Sequence, residues 1–146
     1  MTSNLTHLKP AVATSLAAWH DMIARRDLSQ LATIVHPDAS FRSPMAFNAY
    51  APAEAVLLVL GTVIDVFEDF AYHRELASDD GLNVVLEFSA RVGDKKLKGI
   101  DLVRFDEDGK IVEFEVMVRP LSGLQALGQA MGERLGAKLP AFKSPA

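Results

Sequence analysis

The N-terminal part of the chain predicts three helices from the spacing of its apolar residues. The first begins at Pro10, runs for about 16 residues and presents one apolar stripe. That stripe consists of Val12, Leu16, Trp19 and Ile23. Residues 27–35 predict a second, short helix, capped by Asp27 and ended by His36-Pro37. The segment after Pro52 is apolar almost all round, so a third, well-covered helix is expected there.

The middle of the chain changes to the alternating pattern of β-strands. A short strand is predicted over residues 39–43, and four more follow the third helix. Their predicted ranges are 70–77, 82–92, 97–105 and 111–118. Turn residues separate consecutive strands, and Gly109 is expected to adopt a positive φ in the turn Asp106–Gly109. The strands should therefore form a mostly antiparallel sheet.

A last helix is predicted after Pro120, although four glycines weaken it. Gly128, Gly132 and Gly136 line one of its faces, which indicates either close packing on a neighbour or a fraying terminal helix. The order of elements predicts an α+β fold, with helices on one face of a curved sheet. We expect residues 1–146 to form one domain, with residues 1–9 as a loose arm and 139–146 as a loose tail.

Composition narrows the classes of function. The net charge is −4 and there is no basic run, so neither nucleic acid nor an anionic membrane is an expected partner. The absence of cysteine excludes disulfides, thiolate metal sites and cysteine nucleophiles, and fits a reducing compartment. The N-terminal residues are polar, unlike a signal peptide, and no apolar run is long enough to span a membrane. A cytoplasmic protein is expected.

Asp101 is the main chemical feature of the sequence. Alternation places it on one strand face with Gly99, Val103 and Phe105. A carboxylate on an apolar face must find a partner or shift its pKa upward, because burial disfavours its charge. Asp101 is therefore either a functional acid–base group in a pocket or a structural residue paired with a nearby Arg or with Trp19.

The chain resembles the NTF2-like superfamily, and more narrowly its SnoaL-like members. The resemblance rests on the order of elements and on several short segments spread over nearly the whole chain. These are Trp19, Arg26-Asp27-Leu28, HPDASFRSP, KGIDLVRFDEDGKIVEF and the following VRP. It implies a cone-shaped fold in which a bent sheet wraps around helices and leaves an apolar pocket. Members are commonly homodimers, and they include isomerases, cyclases, epoxide hydrolases and non-catalytic binders, so the fold alone does not decide function.

Ketosteroid isomerase, one of these members, uses an Asp base beside a Tyr and a protonated Asp that bind the substrate oxygen. By resemblance the protonated Asp corresponds to Asp101, the Tyr to Trp19 and the base to Ser43. Trp19 can donate only an indole N–H, and Ser43 cannot carry a proton near neutral pH without a base beside it. Ketosteroid isomerisation by the usual route is therefore not expected.

Epoxide hydrolysis of the family type needs two Asp residues and an Arg around a water molecule. The strand NVVLEFSAR lacks the Arg-x-Asp pattern, and Val116 occupies the second Asp position. The remaining site resembles that of the polyketide cyclases, in which one carboxyl group acts as acid or base. The expected pocket wall comprises Trp19, Phe41, Ser43, Met45, Tyr50, Leu86, Phe88, Val103, Phe114 and Val116. Phe114 or Glu115 opposes Asp101, depending on the hairpin register, and Phe114 fits the apolar pattern better.

Three further features leave alternatives open. The spacing of a metal site is not found among His20, His36 and His73. His36 is expected to be structural, because it lies at a predicted helix end. We therefore expect neither a metal nor a cofactor. Met45, Phe47 and Tyr50 form either a lid at the pocket mouth or an ordinarily packed loop. The outer sheet face mixes apolar and charged residues, as either a dimer interface or a solvated surface would. That face includes Ile100, Leu102, Glu87, Arg91, Glu113 and Glu115.

Taken together, the sequence predicts a homodimeric protein that binds a small apolar or aromatic molecule. As an enzyme it would carry out cofactor-free acid–base chemistry on a ketone- or polyketide-like substrate through Asp101. The alternative is a non-catalytic module for ligand binding or dimerisation.

Overall fold

A computed structural model describes residues 5–143. Its helices are α1 (Pro10–Arg25), α2 (Ala53–Val66) and α3 (Leu121–Leu135). Its strands are β1 (Val35–Arg42), β2 (Glu68–Ala77), β3 (Asn83–Val92), β4 (Lys95–Phe105) and β5 (Ile111–Arg119). Two short 3-10 segments cover Leu31–Ile34 and Leu139–Phe142. No helix among these residues is long and apolar enough to cross a bilayer.

The five strands form one curved, open sheet in the order β1-β5-β4-β3-β2. The pairings from β2 to β5 are antiparallel, as predicted, whereas β1 joins β5 in parallel. The α+β class is confirmed, and the sheet is mixed rather than wholly antiparallel. The predicted helices at 10–25, after Pro52 and after Pro120 are present, and so are the four predicted strands that follow α2.

The apolar stripe of α1 enters the core. Val12, Leu16 and Trp19 are buried, and Ile23 packs partly buried against them. The predicted turn between β4 and β5 is formed by residues Asp106 to Gly109, and Gly109 has a φ of 82°. The helix rests on this turn, because buried Ser15 of α1 donates a hydrogen bond to the Gly109 carbonyl at 2.6 Å.

The prediction of a second helix over residues 27–35 is wrong. The Asp27 side chain accepts a hydrogen bond from the backbone N–H of Ser29, which forms a local turn instead of a helix cap. Only a single 3-10 turn follows, and β1 begins at Val35, four residues earlier than the predicted strand. Pro37 is tolerated in β1 because this strand lies at the sheet edge. His36 therefore lies in a strand rather than at a helix end.

At both ends of the described range the chain contacts the rest of the fold. Leu8 is buried in the core, and the N–H of Lys9 donates to the Gly81 carbonyl. At the other end, Leu139 lines an internal cavity and the Phe142 carbonyl accepts a hydrogen bond from the N–H of Ala51. The rest of the predicted arm and tail, residues 1–4 and 144–146, lies outside the described residues.

Gly99 of β4 is required by close packing rather than by backbone conformation. A Cβ atom at Gly99 would lie 2.3 Å from the carbonyl oxygen of Met117 and 2.7 Å from Cζ of the buried Phe88 ring. We expect Gly99→Ala to lower the free energy of unfolding by about 1–3 kcal/mol, because the ring and the neighbouring strand must shift. Urea denaturation measures the loss.

Gly61 of α2 provides the matched control. A Cβ atom there has no neighbour within 4 Å. Gly61→Ala should raise the free energy of unfolding by up to about 1 kcal/mol, because it reduces the freedom of the unfolded chain. Equal effects of the two substitutions would contradict the packing role given to Gly99.

Candidate active site

A cavity of about 530 Å³ lies between the inner sheet face and the three helices. Its wall is mostly apolar, and its size is typical of pockets that bind small organic molecules. Five of its lining residues carry side chains that can gain or lose a proton. They are His20, Arg26, Tyr50, Tyr72 and Asp101.

Most of the predicted wall residues line this cavity. They are Asp101, Trp19, Phe41, Ser43, Met45, Tyr50, Phe114 and Val116. Three of the expected wall residues, Leu86, Phe88 and Val103, do not line the cavity. They face the same side of the sheet but are buried in the packed core. Phe88, for example, is covered by the rings of Phe67 and Phe70, whose centroids lie 5.6 and 5.3 Å from its own.

Asp101 ends a short chain of buried hydrogen bonds. Asp101 is only 6% exposed, and Oδ2 of its carboxyl group accepts a hydrogen bond of 2.5 Å from the Tyr72 hydroxyl. That hydroxyl in turn accepts a hydrogen bond of 2.9 Å from the indole N–H of Trp19. Among residues 5–143, Tyr72 is the one hydrogen-bond partner of the carboxyl, and no cation forms an ion pair with it. The structural alternative, a direct pairing with an Arg or with Trp19, is therefore not observed among these residues.

The environment of Asp101 favours its protonated form. Burial raises its pKa from the ordinary 3.8 to about 7, and the hydrogen bond from Tyr72 opposes this rise only in part. Burial and the nearby Asp101 carboxyl hold the pKa of Tyr72 well above its usual range, so the phenol stays protonated. Near neutral pH the site therefore contains a protonated phenol beside a carboxyl group that readily gains and loses a proton.

The hairpin register differs from the predicted one. Val116, not Phe114 or Glu115, lies opposite Asp101. A register shift between Arg104 and Phe105 inserts one extra residue into β5, which moves Glu115 to the position opposite Leu102 on the outer face. Phe114 pairs with Val103 instead, and it remains in the cavity wall.

Tyr72 is the functional side chain that the sequence did not reveal. Its neighbours on β2, His73 and Arg74, both hydrogen-bond to outer-face residues of β3, whereas Tyr72 and Glu75 face inward. The cause is a bulge: between the pairs Tyr72–Phe88 and Glu75–Leu86, β2 has one residue more than β3. Strict alternation would have placed Tyr72 and Glu75 on opposite faces.

The bulge brings Glu75 to His20 of α1. Nε2 of His20 and Oε1 of Glu75 form an ion pair, and their side chains are only 14% and 7% exposed. The His20 ring also packs edge-on against Tyr72, with centroids 5.2 Å apart. His20 thus belongs to the same polar cluster as Tyr72 and Asp101.

The remaining polar candidates have structural contacts. Ser43 lines the cavity, and its hydroxyl accepts a hydrogen bond from the N–H of Met45. His73 bonds the Ser89 hydroxyl on the outer face, and Nδ1 of His36 accepts from the N–H of Asp38. Within residues 5–143, no group of three or more His, Cys, Asp or Glu side chains is arranged to hold a metal ion.

The loop after β1 closes one side of the cavity. Tyr50 is buried and exchanges two backbone hydrogen bonds of 2.8 Å with Phe41. Met45 is half exposed and lies against Gly128 of α3, where a Cβ atom would be 2.5 Å from its Cε. This contact supports the close-packing alternative for Gly128. Phe47 is 92% exposed and is not part of the cavity wall.

Comparisons with known proteins agree with this architecture. A family model of the SnoaL-like domain matches residues 16–114. A search of functionally curated proteins gave no match. One solved crystal structure is that of a steroid delta-isomerase from Pseudomonas aeruginosa, whose sequence is 65% identical to this chain. The alignment covers 91% of this chain and 97% of the isomerase, with a TM-score of 0.87.

Two more distant structures show the same fold. An uncharacterised protein from Silicibacter pomeroyi with a cystatin-like fold is 28% identical, covers 97% of this chain and 100% of its own, and has a TM-score of 0.84. A SnoaL-like protein of the polyketide cyclase type from Jannaschia sp. is 11% identical, covers 86% of this chain and 97% of its own, and has a TM-score of 0.66. With its helices on a curved sheet and its matched domain, the chain belongs to the SnoaL-like family of the NTF2-like superfamily.

Proposed function

We propose that this protein is a cofactor-free enzyme that transfers protons on an apolar ketone- or polyketide-like substrate, with Asp101 as its acid–base group. One observation carries the proposal: the Asp101 carboxyl is buried in an apolar cavity with a phenol as its hydrogen-bond partner and no paired cation from residues 5–143. A carboxyl group in that environment holds a proton near neutral pH and can give it to a substrate oxygen.

The hydrogen-bond chain explains how charge on a substrate oxygen would be stabilised. When Asp101 is protonated, the Asp101–Tyr72 pair contains two O–H groups, and only one of them is needed for the bond between the two residues. The other is free to donate to a carbonyl oxygen in the cavity. Trp19 fixes the Tyr72 hydroxyl from the opposite side. These donors are already in place when negative charge develops, which is the main requirement of an oxyanion site.

The solved structures favour a ring ketone as the substrate. The protein from Pseudomonas aeruginosa that is 65% identical to this chain is a steroid delta-isomerase, and the alignment covers 91% of this chain. By resemblance, Trp19 occupied the position of the isomerase Tyr and offered no phenol. In the structure the phenol beside Asp101 comes from Tyr72, so isomerisation has more support than it had from the sequence alone. Ser43 does not supply a carboxylate base, so the reaction would follow a route different from the usual one of ketosteroid isomerase.

The first test is turnover of a β,γ-unsaturated ketosteroid by the purified protein. Isomerisation gives a conjugated enone, whose ultraviolet absorbance reports the rate. In parallel, incubation in D₂O followed by mass spectrometry reports exchange at the carbon next to the carbonyl. We expect both signals. Binding of the ketone without turnover or exchange would contradict the enzyme proposal and leave a ligand-binding module.

Tyr72→Phe tests the hydrogen bond to Asp101. The Tyr72 hydroxyl stabilises the charged carboxylate, so its removal should raise the pKa of Asp101 above about 7. It also leaves the Trp19 indole N–H without its partner, at a cost of about 1–3 kcal/mol of stability. The ¹³C chemical shift of the Asp101 carboxyl, followed against pH, measures the first effect.

Tyr50→Phe is the control for this substitution. Tyr50 lines the same cavity and is buried, but its hydroxyl is not bonded to Asp101. The pKa of Asp101 should stay unchanged in Tyr50→Phe. An equal shift in the two variants would show that the Tyr72 hydrogen bond is not the cause.

We also propose that the protein assembles as a homodimer through its outer sheet face. Met117 of β5 and Leu76 of β2 are 44% and 61% exposed there, and Ile100 and Leu102 of the intervening strand β4 are half-buried. Glu87 on the same face is already neutralised by Arg74 and Lys98, at 2.6 and 2.7 Å. Light scattering coupled to size-exclusion chromatography measures the mass, and a monomer would contradict this assembly.

A further inference from the structure

We infer that His20 and Glu75 form the proton-carrying pair of this site, with His20 as the catalytic base and Glu75 as its positioning residue. The inference rests on the proposed function, because it assigns the base that the reaction needs and that Ser43 cannot supply. Imidazole gains and loses a proton near neutral pH, which suits it to move a proton between two carbons.

Burial distinguishes this pair from the other ion pairs of the described residues. Both of its side chains are nearly covered, at 14% and 7% exposure, whereas every other ion pair has at least one side chain exposed by more than a third. A buried ion pair contributes little to stability, since desolvation of the charges offsets their attraction. The placement of His20 in the cavity wall points to a chemical role.

The backbone is shaped to form the pair. The β2 bulge after Tyr72 turns Glu75 to the inner face, where strict alternation from Tyr72 would have directed it outward. Without this extra residue, the Glu75 carboxylate would face away from α1, and His20 would lose its partner. The same irregularity therefore positions both Tyr72 and Glu75, one for each half of the reaction.

The contact with Glu75 also selects the reactive nitrogen. Nε2 of His20 is engaged by the carboxylate, so in the neutral imidazole, the form that acts as a base, Nε2 carries the proton and the lone pair lies on Nδ1. No described residue hydrogen-bonds Nδ1, and His20 lines the cavity. Tyr72 of β2 packs against the ring, and Asp101 of β4 and Arg26, just after α1, are ionisable groups that line the same cavity.

The proton transfer balances without any further reagent. Nδ1 of His20 removes the proton between the carbonyl and the C=C bond, and the electron pair of the broken C–H bond moves into a conjugated dienol. The oxygen receives a hydrogen bond or a proton from the Asp101–Tyr72 pair. Imidazolium, stabilised by the Glu75 carboxylate, then returns its proton to the far carbon, and the oxygen gives its proton back. No electron is gained or lost overall.

The test compares His20→Gln, Glu75→Gln and the wild type on the β,γ-unsaturated ketosteroid. His20→Gln should lower kcat by about 10²–10⁴-fold, because the base is lost. Glu75→Gln keeps the shape but loses the charge, so kcat should fall by about 10- to 100-fold with KM nearly unchanged. Binding of 2-naphthol, an aromatic alcohol that does not react, should change little in either variant.

Chemical rescue separates a base from a structural residue. In His20→Ala, added imidazole should restore part of the lost rate, since it fits the space that the side chain leaves. His73→Gln is the matched control: this histidine is exposed on the outer face, and its loss should leave kcat unchanged. Thermal melts of all variants show whether the fold is retained.

The outcomes distinguish the two proposals. Turnover that is lost in Asp101→Asn but retained in folded His20→Gln would overturn the role of His20 and keep the proposed function. A kcat loss in folded His20→Gln without imidazole rescue in His20→Ala would also overturn the base role. No turnover or exchange by the wild type would overturn both.

Discussion

Replacing Asp101 by Asn should lower kcat on a β,γ-unsaturated ketosteroid by about 10²–10⁴-fold, because the side chain can no longer give a proton to the developing oxyanion. Asn keeps the shape of the side chain, and its carbonyl can still accept the hydrogen bond from Tyr72. It cannot exchange a proton with the substrate. The cavity itself is unaltered, so 2-naphthol should bind within about tenfold of the wild-type affinity. Steady-state kinetics and fluorescence titration give the two quantities.

The comparison with a second cavity residue makes this result specific. Val116, opposite Asp101, lines the same cavity without a polar group. Val116→Ala should weaken 2-naphthol binding modestly and leave most of kcat intact. Equal losses of binding and kcat in Asp101→Asn would show that Asp101 holds the cavity together and does not take part in chemistry.

The second large effect is on stability as a function of pH. The folded protein keeps a proton on Asp101 up to about pH 7, whereas the unfolded chain loses it near 3.8. Between these values the folded state binds more protons than the unfolded state, so stability from this group falls as pH rises. The two pKa values differ by about three units, which corresponds to about 4 kcal/mol. This much of the free energy of unfolding should be lost between pH 4 and pH 7, with no further loss from Asp101 above pH 7.

Asp101→Asn isolates this contribution, because the variant has no proton to lose at this position. Glu87, Asp27 and Asp80 have pKa values held low by their hydrogen bonds, and they act in the opposite direction in both proteins. The difference in unfolding free energy between variant and wild type should therefore grow with pH and level off near pH 7. Urea denaturation at a series of pH values measures it. A difference that does not change with pH would contradict a raised pKa for Asp101.

The sequence predicted the parts of this fold that follow regular periodicities. Helix α1 and the strands β3 and β4 follow a period of 3.6 or 2, and the predicted bounds of these elements and of β2 and β5 agree with the structure to within about three residues. The same period-2 rule correctly placed Asp101 on an apolar face. In contrast, the predicted second helix is absent: Asp27 bonds the Ser29 N–H in a local turn, and only one 3-10 turn follows.

The parts of the site that escaped prediction depend on irregularities of the sheet. One extra residue in β5 moved the register by one, so Val116 rather than Glu115 lies opposite Asp101, and the favoured Phe114 lies opposite Val103. One extra residue in β2 put Tyr72 and Glu75 on the same face. A bulge shifts every alternation argument beyond it, and no residue type marks its position. The partners of Asp101 and His20 therefore became visible only in three dimensions.

The most direct measurement on this site is the pKa of Asp101, from the pH dependence of its carboxyl ¹³C signal, assigned with Asp101→Asn. A midpoint near pH 7 is expected for a carboxyl group buried beside Tyr72 in an apolar cavity. It would mean that the site holds a transferable proton where a substrate oxygen can reach it. A midpoint at or below 3.8 would mean a solvated or charge-paired carboxylate, and the proposed proton transfer would lose its acid.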